Sequence, residues 1–236
     1  MAKTPLGRLD PSAFGTMRLP RLEAAILEGF RALGDLTGTT SDALDELRIA
    51  ATVPGSTLRP SDPSARLVGQ ALTVKNQRVE AFSSTKSGLA DIEAHNLAEP
   101  GDVLVVQGVA GISSMGGVMA SIGKRQGEAG AIVDGAVRDI DHSRKIGYPV
   151  WSSSVSPITG KWRIRTVAVN RPVSIAGITV NPGDLVIADE VGVCFVPFER
   201  AAEVLAVAQR LATAEEARLE KLASGIGLAD FVKLSR

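Results

Sequence analysis

The sequence predicts an α/β domain of layered sheets with flanking helices, in β/β/α order. Three observations carry that reading. Between residues 67 and 151, short Val-, Ile- and Leu-rich runs alternate with stretches of helical spacing, the pattern of a mostly parallel layer covered by helices. After Ser156-Pro157 the helical stretches stop, and short apolar runs are separated only by Gly177, Pro182-Gly183 and Gly192, which predicts a second, β-rich layer. Finally, 24 glycines and 4% aromatic residues require an interior of Val, Ile, Leu and Ala, which favours close strand–strand and strand–helix approach.

In chain order, residues 1–20 hold Pro5, Pro11 and Pro20 and read as an extended arm. Leu22, Ala25, Ile26, Phe30 and Leu33 are spaced as one helical face that Gly34 stops. Residues 37–41 are a polar break, and residues 42–64 hold a short helix and a loop rich in Pro, Ser and Gly. A strand is expected over 67–75, a helix over 84–97, and a second buried strand from Asp102 to Gly108 after the Pro100-Gly101 turn. Residues 109–115 read as a loose Gly/Ser-rich loop before a helix over 116–126. Ala131-Ile132-Val133 has the composition of a strand buried on both faces, and Asp134-Gly135 is a turn signal after it. Residues 140–146 form a helix ended by Gly147, and Pro149-Val150-Trp151 enters another strand. Short strands follow over 173–178, 185–188 and 193–196, and residues 198–223 make a long amphipathic helix. The expected organisation is an N-terminal arm with helices over 1–64, a core over 65–197, and a C-terminal helix over 198–236 that packs on the core or on a neighbouring subunit.

Composition narrows the function classes. Lys plus Arg and Asp plus Glu number 26 each, so no overall field favours nucleic acid or an anionic membrane. A lone cysteine, Cys194, allows no internal disulfide and no cysteine-built metal site. No apolar run is long enough for a membrane span, and a cytoplasmic protein is the expectation. There is no phosphate-binding P-loop and no dinucleotide fingerprint. His95 and His142 lack metal-ligand spacing, although His142 lies three residues past Asp139 and can face it from the next turn. Lys75 is the only lysine inside a clear strand, where its tip reaches solvent or an acid, which disfavours Schiff-base chemistry.

Arg138 and Asp139 stand side by side just past a buried strand, where open α/β sheets bind ligands. Arginine can grip a carboxylate with two parallel hydrogen bonds, and aspartate can hold a hard divalent cation. The competing reading is a surface ion pair that starts the next helix. The Gly-rich stretch 111–117 before a helix offers free N–H groups to an anion, though most such loops only turn the chain. Asp189-Glu190 is a second acidic pair at a strand end, where a solvated turn is the ordinary explanation.

Three ordered motifs now carry a resemblance: Gly101-Asp102-Val103-Leu104-Val105-Val106 with Gly116-Gly117 and Ala120, then Val133-Asp134-Gly135-Ala136-Val137-Arg138-Asp139, then Val180-Asn181-Pro182-Gly183-Asp184-Leu185-Val186 with Ala188-Asp189 and Gly192-Val193. Together they resemble the RraA-like family over roughly residues 65–230. That family includes 4-hydroxy-4-methyl-2-oxoglutarate / 4-carboxy-4-hydroxy-2-oxoadipate aldolases and relatives of the regulator of ribonuclease activity A. The resemblance implies a swivelling β/β/α fold assembled as trimers or hexamers, with active sites at subunit interfaces. It implies that Arg138 binds the pyruvyl end of the substrate and that Asp139 holds Mg²⁺ or Mn²⁺, largely through water. It further implies that backbone amides of Gly116, Gly117, Val118 and Met119 cradle the substrate. The resemblance also implies that a glutamate from a neighbouring subunit's C-terminal helix reaches the metal shell, and Glu215 fits that position best, with Glu216 one step off.

The sequence departs from the aldolase pattern at three places. Gly117 stands where many members carry an acid, Gln107 replaces an aspartate common after the Val-Val strand, and Ser83-Ser84-Thr85-Lys86 occupies the region of a common Asp-Asn pair. The expected function is a divalent-metal-dependent lyase on a 2-oxo acid, by aldol cleavage that releases pyruvate, with oxaloacetate decarboxylation as a side activity. The alternatives are a protein-binding regulator of an endoribonuclease, and a metal-dependent hydratase or eliminase on another oxygenated acid.

Overall fold

The computed structural model describes residues 3–79 and 88–234. The arm carries one 3-10 turn, Pro11–Ala13, before helices α1 (Ala24–Arg31) and α2 (Leu36–Glu46). Two short strands follow, β1 (Thr52–Pro54) and β2 (Arg59–Pro60), and then the long strand β3 (Leu67–Arg78). Next come α3 (Ile92–Leu97), β4 (Val103–Gln107), β5 (Ser113–Met115), α4 (Gly117–Gln126), β6 (Gly130–Val137), α5 (Ile140–Lys145) and β7 (Val150–Val155). The second half holds β8 (Ile164–Val169), β9 (Val173–Ile175), β10 (Ile178–Val180), β11 (Leu185–Ala188) and β12 (Gly192–Val196). Helices α6 (Ala201–Ala223) and α7 (Leu228–Leu234) end the described chain.

Strand β3 joins the two β layers. Its residues 67–70 pair antiparallel with β11, which continues to β12 and β1. From Ala71 to Lys75 it pairs instead in parallel with β4, which continues in parallel to β6 and β7. On its other edge it pairs antiparallel with β8 from Val74 to Arg78, with a register shift at Lys75/Asn76. A 12-residue strand can serve two layers because right-handed twist accumulates along it.

The alternation of side chains along the parallel strands then builds two cores. Leu72, Val74, Leu104, Val106, Ala131 and Val133 face one way, against Ala94 and Leu97 of α3, Ala120 of α4 and Phe14 of the arm. Ala71, Val103, Val105, Ile132 and Trp151 face the other way, against Val186, Ile187, Val193 and Phe195 of the antiparallel layer and against α1, α2 and α6. A parallel sheet covered on both faces has no polar side, which is why β4 reads as an unbroken Val-Leu-Val-Val run. The architecture is the mixed α/β, layered arrangement predicted from the sequence.

Several local expectations are corrected. Residues 37–41 are helical rather than a break, since Asp35 caps α2 by accepting from Gly38 N–H at 3.0 Å and the threonines are buried. Thr40 Oγ1 donates to Leu36 O at 2.7 Å, and Thr37 Oγ1 donates to Asp189 Oδ1 at 2.6 Å. Tertiary partners thus override a weak helix propensity. Asp134-Gly135 does not end its strand: β6 bulges there and continues to Val137, with Asp134 Oδ2 accepting Ala176 N–H at 2.8 Å. Residues 173–178 divide into the β9–β10 hairpin around Ala176-Gly177. The 42–64 loop contains β1 and β2, residues 109–115 contain β5, and β8 occupies a stretch where no strand was expected. The first turn of the expected 84–97 helix, and the Ser83–Lys86 departure, lie outside the described residues.

Candidate active site

The C-terminal ends of β5 and β6 and the N-terminal end of α4 meet at a cleft of about 550 Å³. Arg138 is held there from behind, since its backbone N–H donates to Met115 O at 3.0 Å and so ties it to the end of β5. Asp139 follows at φ 55°, ψ 34°, a left-handed conformation in which aspartate is one of the few tolerated non-glycine residues. That twist turns the chain off the strand. Asp139 O then accepts His142 N–H at 3.0 Å and Ser143 N–H at 3.2 Å, opening α5, while the carboxylate faces back across the cleft.

Across the cleft α4 starts without a side-chain cap, so its first N–H groups are available. Gly117 N–H donates to Asp139 Oδ2 at 2.9 Å. The N–H groups of Val118 and Met119 precede the first bond of the helix, Ala120 N–H to Gly116 O at 3.1 Å. A β-carbon at Gly116 would lie 2.7 Å from Asp139 Oδ2 and 3.1 Å from Arg138 Nε, so a glycine is what lets the pair sit against this backbone. The pair itself is loose. Arg138 Nε and Asp139 Oδ2 are 3.6 Å apart, and the side chains are 38% and 47% exposed. Both therefore keep hydrogen-bonding capacity toward the cleft, which a structural ion pair would use up.

Arg138, Asp139, Gly116, Gly117, Val118 and Met119 all line this one cleft. Residues that the sequence reading missed line it too. Leu6 and Arg8 come from the arm, Asp91 from the start of α3, and Lys161 from the loop before β8. Asp91 is only 6% exposed, and burial pushes its carboxyl above the usual range, opposed by the charge of His95 and by local N–H groups. Its signal was available, because an acid inside the apolar run Leu89-Ala90-Asp91-Ile92 is an anomaly. Arg8 and Lys161 left no such signal, since they reach the cleft only through tertiary packing.

Other candidates resolve differently. His142 stays at the exposed margin of the site, with Nε2 2.8 Å from Ser121 Oγ. Glu215 borders a separate groove with Asp42 and Arg218, so within one chain it does not meet Asp139. Asp189 is structural, accepting from Thr37 and Val191 N–H at 3.1 and 2.9 Å. Gln107 Oε1 accepts Ser174 N–H at 3.0 Å and so holds the β9–β10 hairpin rather than a ligand. Cys194 is buried, its thiol pushed up to about 12 chiefly by desolvation, and is inert.

Among the described residues no three His, Cys, Asp or Glu side chains form a metal cage. The donor set present, one half-exposed carboxylate with Oδ1 free of hydrogen bonds among the described residues, suits a hard cation that keeps most of its water. Among these residues no helix is long and apolar enough to cross a membrane.

Comparison with known proteins identifies the family of the chain. A relative from Halalkalibacterium halodurans, named "Putative 4-hydroxy-4-methyl-2-oxoglutarate aldolase", is 31% identical over 192 residues, covering 80% of this chain and 86% of that protein. The crystal structure of an uncharacterized protein from Pseudomonas syringae superposes with a TM-score of 0.76 at 30% identity, covering 90% of this chain and 98% of the other. That of Streptomyces coelicolor RraAS2, described as an unusual member of the RNase ES inhibitor RraA protein family, gives 0.73 at 28% identity, covering 84% and 98%. The sequence profile of the RraA-like family, described as Aldolase/RraA, matches residues 37–195 and thus spans the sheet, the cleft loop and the Arg138–Asp139 pair; the chain belongs to that family.

Proposed function

We propose that the protein is a divalent-metal-dependent carbon–carbon lyase acting on a 2-oxo acid, cleaving an aldol adduct to release pyruvate and decarboxylating oxaloacetate as a side activity. The observation that carries this reading is the loose, half-exposed Arg138–Asp139 pair set against the open start of α4. Breaking the bond β to a 2-oxo group leaves a pyruvate enolate, whose negative oxygen must be stabilised. Arg138 binds the pyruvyl carboxylate with its guanidinium fork, and the N–H groups of Val118 and Met119 cradle the same end from the helix terminus. Asp139 is the residue that would hold Mg²⁺ or Mn²⁺, and the cation, when bound, supplies Lewis-acid stabilisation to the enolate. Gly117 N–H holds Asp139 Oδ2, and Oδ1, which accepts no hydrogen bond among the described residues, supports that role.

Leu219, Leu222, Leu228 and Val232 are large apolar side chains left exposed on α6 and α7. They favour a homotrimer or homohexamer in which Glu215 reaches a neighbouring copy's cleft. The likeness to an RNase-inhibitor relative and the changes at Gly117 and Gln107 favour a second reading, a protein-binding regulator with no required chemistry. A hydratase or eliminase on another oxygenated acid would use the same residues.

Deuterium exchange into the methyl group of pyruvate, followed by NMR, separates these readings. Exchange that requires both Mg²⁺ and Asp139, and is lost with chelator or in Asp139→Ala, supports the lyase. Absence of exchange in folded, metal-loaded protein rejects it. Arg138→Ala is expected to raise KM for the carboxylate substrate ten-fold or more with a smaller loss of kcat.

A further inference from the structure

Aldol cleavage needs a proton moved twice, off the hydroxyl beside the scissile bond and on to the carbon that cleavage leaves. Asp139 has Oδ2 on Gly117 N–H and Oδ1 in the metal role, and Arg8, Arg138 and Lys161 are cations suited to holding anions. One acid in the cleft wall is left over. Asp91, immediately before α3, lines the cleft although it is only 6% exposed. Among the described residues its carboxyl meets nearby backbone N–H groups, and no side chain donates to it. A nearly buried acid without a side-chain partner is an expensive thing to place in a wall that a leucine could fill.

The surroundings of Asp91 oppose one another. Burial, the larger effect, favours the neutral acid, and the charge of His95, one helical turn along, favours the carboxylate. His95 is in turn held toward its charged form by Glu128, whose Oε1 lies 2.7 Å from Nδ1 and whose Oε2 accepts from Tyr148 at 2.6 Å. His95 Nε2 is buried and makes no hydrogen bond among the described residues, so its charge is not spent on a second partner. A group that acts as base in one half of a reaction and as acid in the other needs both forms within reach.

We propose that Asp91 is a catalytic residue, the proton carrier that takes the hydroxyl proton at the start of cleavage and returns it to C3 of the pyruvate enolate. The balance is closed. As the carboxylate takes the proton, the O–H pair becomes the new carbonyl, the C–C pair becomes the enolate double bond, and the former 2-oxo oxygen takes the charge. Asp91 then gives the proton to C3, the 2-oxo group re-forms, and pyruvate leaves with no net proton gained or lost. In pyruvate exchange the same carboxylate takes a methyl proton and returns a deuteron acquired from solvent. This rests on the lyase reading and adds a residue to it.

Two reactions of the full chain with Mg²⁺ separate proton transfer from enolate stabilisation. Loss of CO₂ from oxaloacetate forms the enolate with no proton removed, and water can protonate that enolate after release. Exchange into the methyl group of pyruvate cannot begin without a base. Asp91→Asn, nearly isosteric, is expected to slow exchange by about 10²-fold or more while decarboxylation, measured above the rate with Mg²⁺ alone, falls less than about three-fold. Asp91→Ser replaces it should the amide fail to fold. Exchange that survives in the variant overturns the inference and leaves the lyase reading standing. An equal loss in both reactions, or loss of the fold in both variants, overturns it too, by assigning Asp91 to the metal shell or to structure. A wild type that exchanges no pyruvate protons rejects the lyase reading and takes the inference with it.

Discussion

Asp139 holds two jobs that different substitutions separate. Its backbone occupies the left-handed region, and its Oδ2 receives Gly117 N–H. Asparagine tolerates the same conformation and keeps a carbonyl acceptor for the amide, but it carries no charge for a cation. Asp139→Asn should therefore keep stability within about 1 kcal/mol of wild type by urea unfolding while losing turnover by on the order of 10²–10³-fold. A parallel loss of stability would return the pair to the role of a structural helix start. Position 117 shows the same dependence on local contact. A β-carbon on Gly117 would meet His142 Cδ2 at 3.1 Å, so an acid there would have to turn the exposed imidazole aside.

Helix α3 spans only six residues, yet it links arm, cleft and core. Glu93 clamps the arm, Asp91 opens onto the cleft, and His95 reaches inward to Glu128, with Nδ1 2.7 Å from Oε1. Tyr148 completes the cluster by donating to Glu128 Oε2 at 2.6 Å, and its hydroxyl stays protonated because burial, then the charge of Glu128, raises it well above the usual value. For His95, burial pulls the imidazole down, but the hydrogen bond and charge of Glu128 and the charge of Asp91 outweigh it, and the net shift is upward. A histidine raised on folding stabilises fully below its unfolded value of about 6.5, and that stability is lost as pH rises through the folded value. Asp91, also raised, contributes with the same sign from the carboxylate range upward. The melting temperature is expected to fall as pH is taken from about 6 to 9, and His95→Gln should flatten the slope. A wild-type profile that rises over that window would show that the cluster is not held as an ion pair.

At the scale of the molecule, stability and function draw on the same sheet. Ile132 is fully buried at the middle of β6, six positions before Arg138, and packs in the core shared with the antiparallel layer. Ile132→Ala should cost about 3–4 kcal/mol in urea unfolding, from lost transfer energy plus the cavity left in a core with few aromatics to relax into it. Val191, 68% exposed, serves as the control, and its change to alanine is expected to stay within about 0.5 kcal/mol. A similar small loss at Ile132 would mean that the interlayer packing tolerates a void. Under the proposed lyase function the rigidity of β6 would also set the placement of Arg138 and Asp139, which follow directly from its end.

The sequence by itself determined the layered class, the buried parallel strands and the adjacency of Arg138 to Asp139, because each is written in local periodicity or in neighbouring positions. It also made the Gly-rich stretch 111–117 legible as a candidate anion loop, since a glycine turn before a helix is a local signal, whereas Val118 and Met119 entered only through the family resemblance. Tertiary structure decided the rest. The threonines at 37, 39 and 40 became helical through burial against the sheet, and Asp134-Gly135 became a bulge whose carboxylate accepts Ala176 N–H. Asp189 was drawn into holding α2, and Arg8, Asp91 and Lys161 were brought into one cleft from positions up to 153 residues apart. Such convergence costs chain entropy that only long-range burial repays, and no pattern within a short window records which distant partner does so.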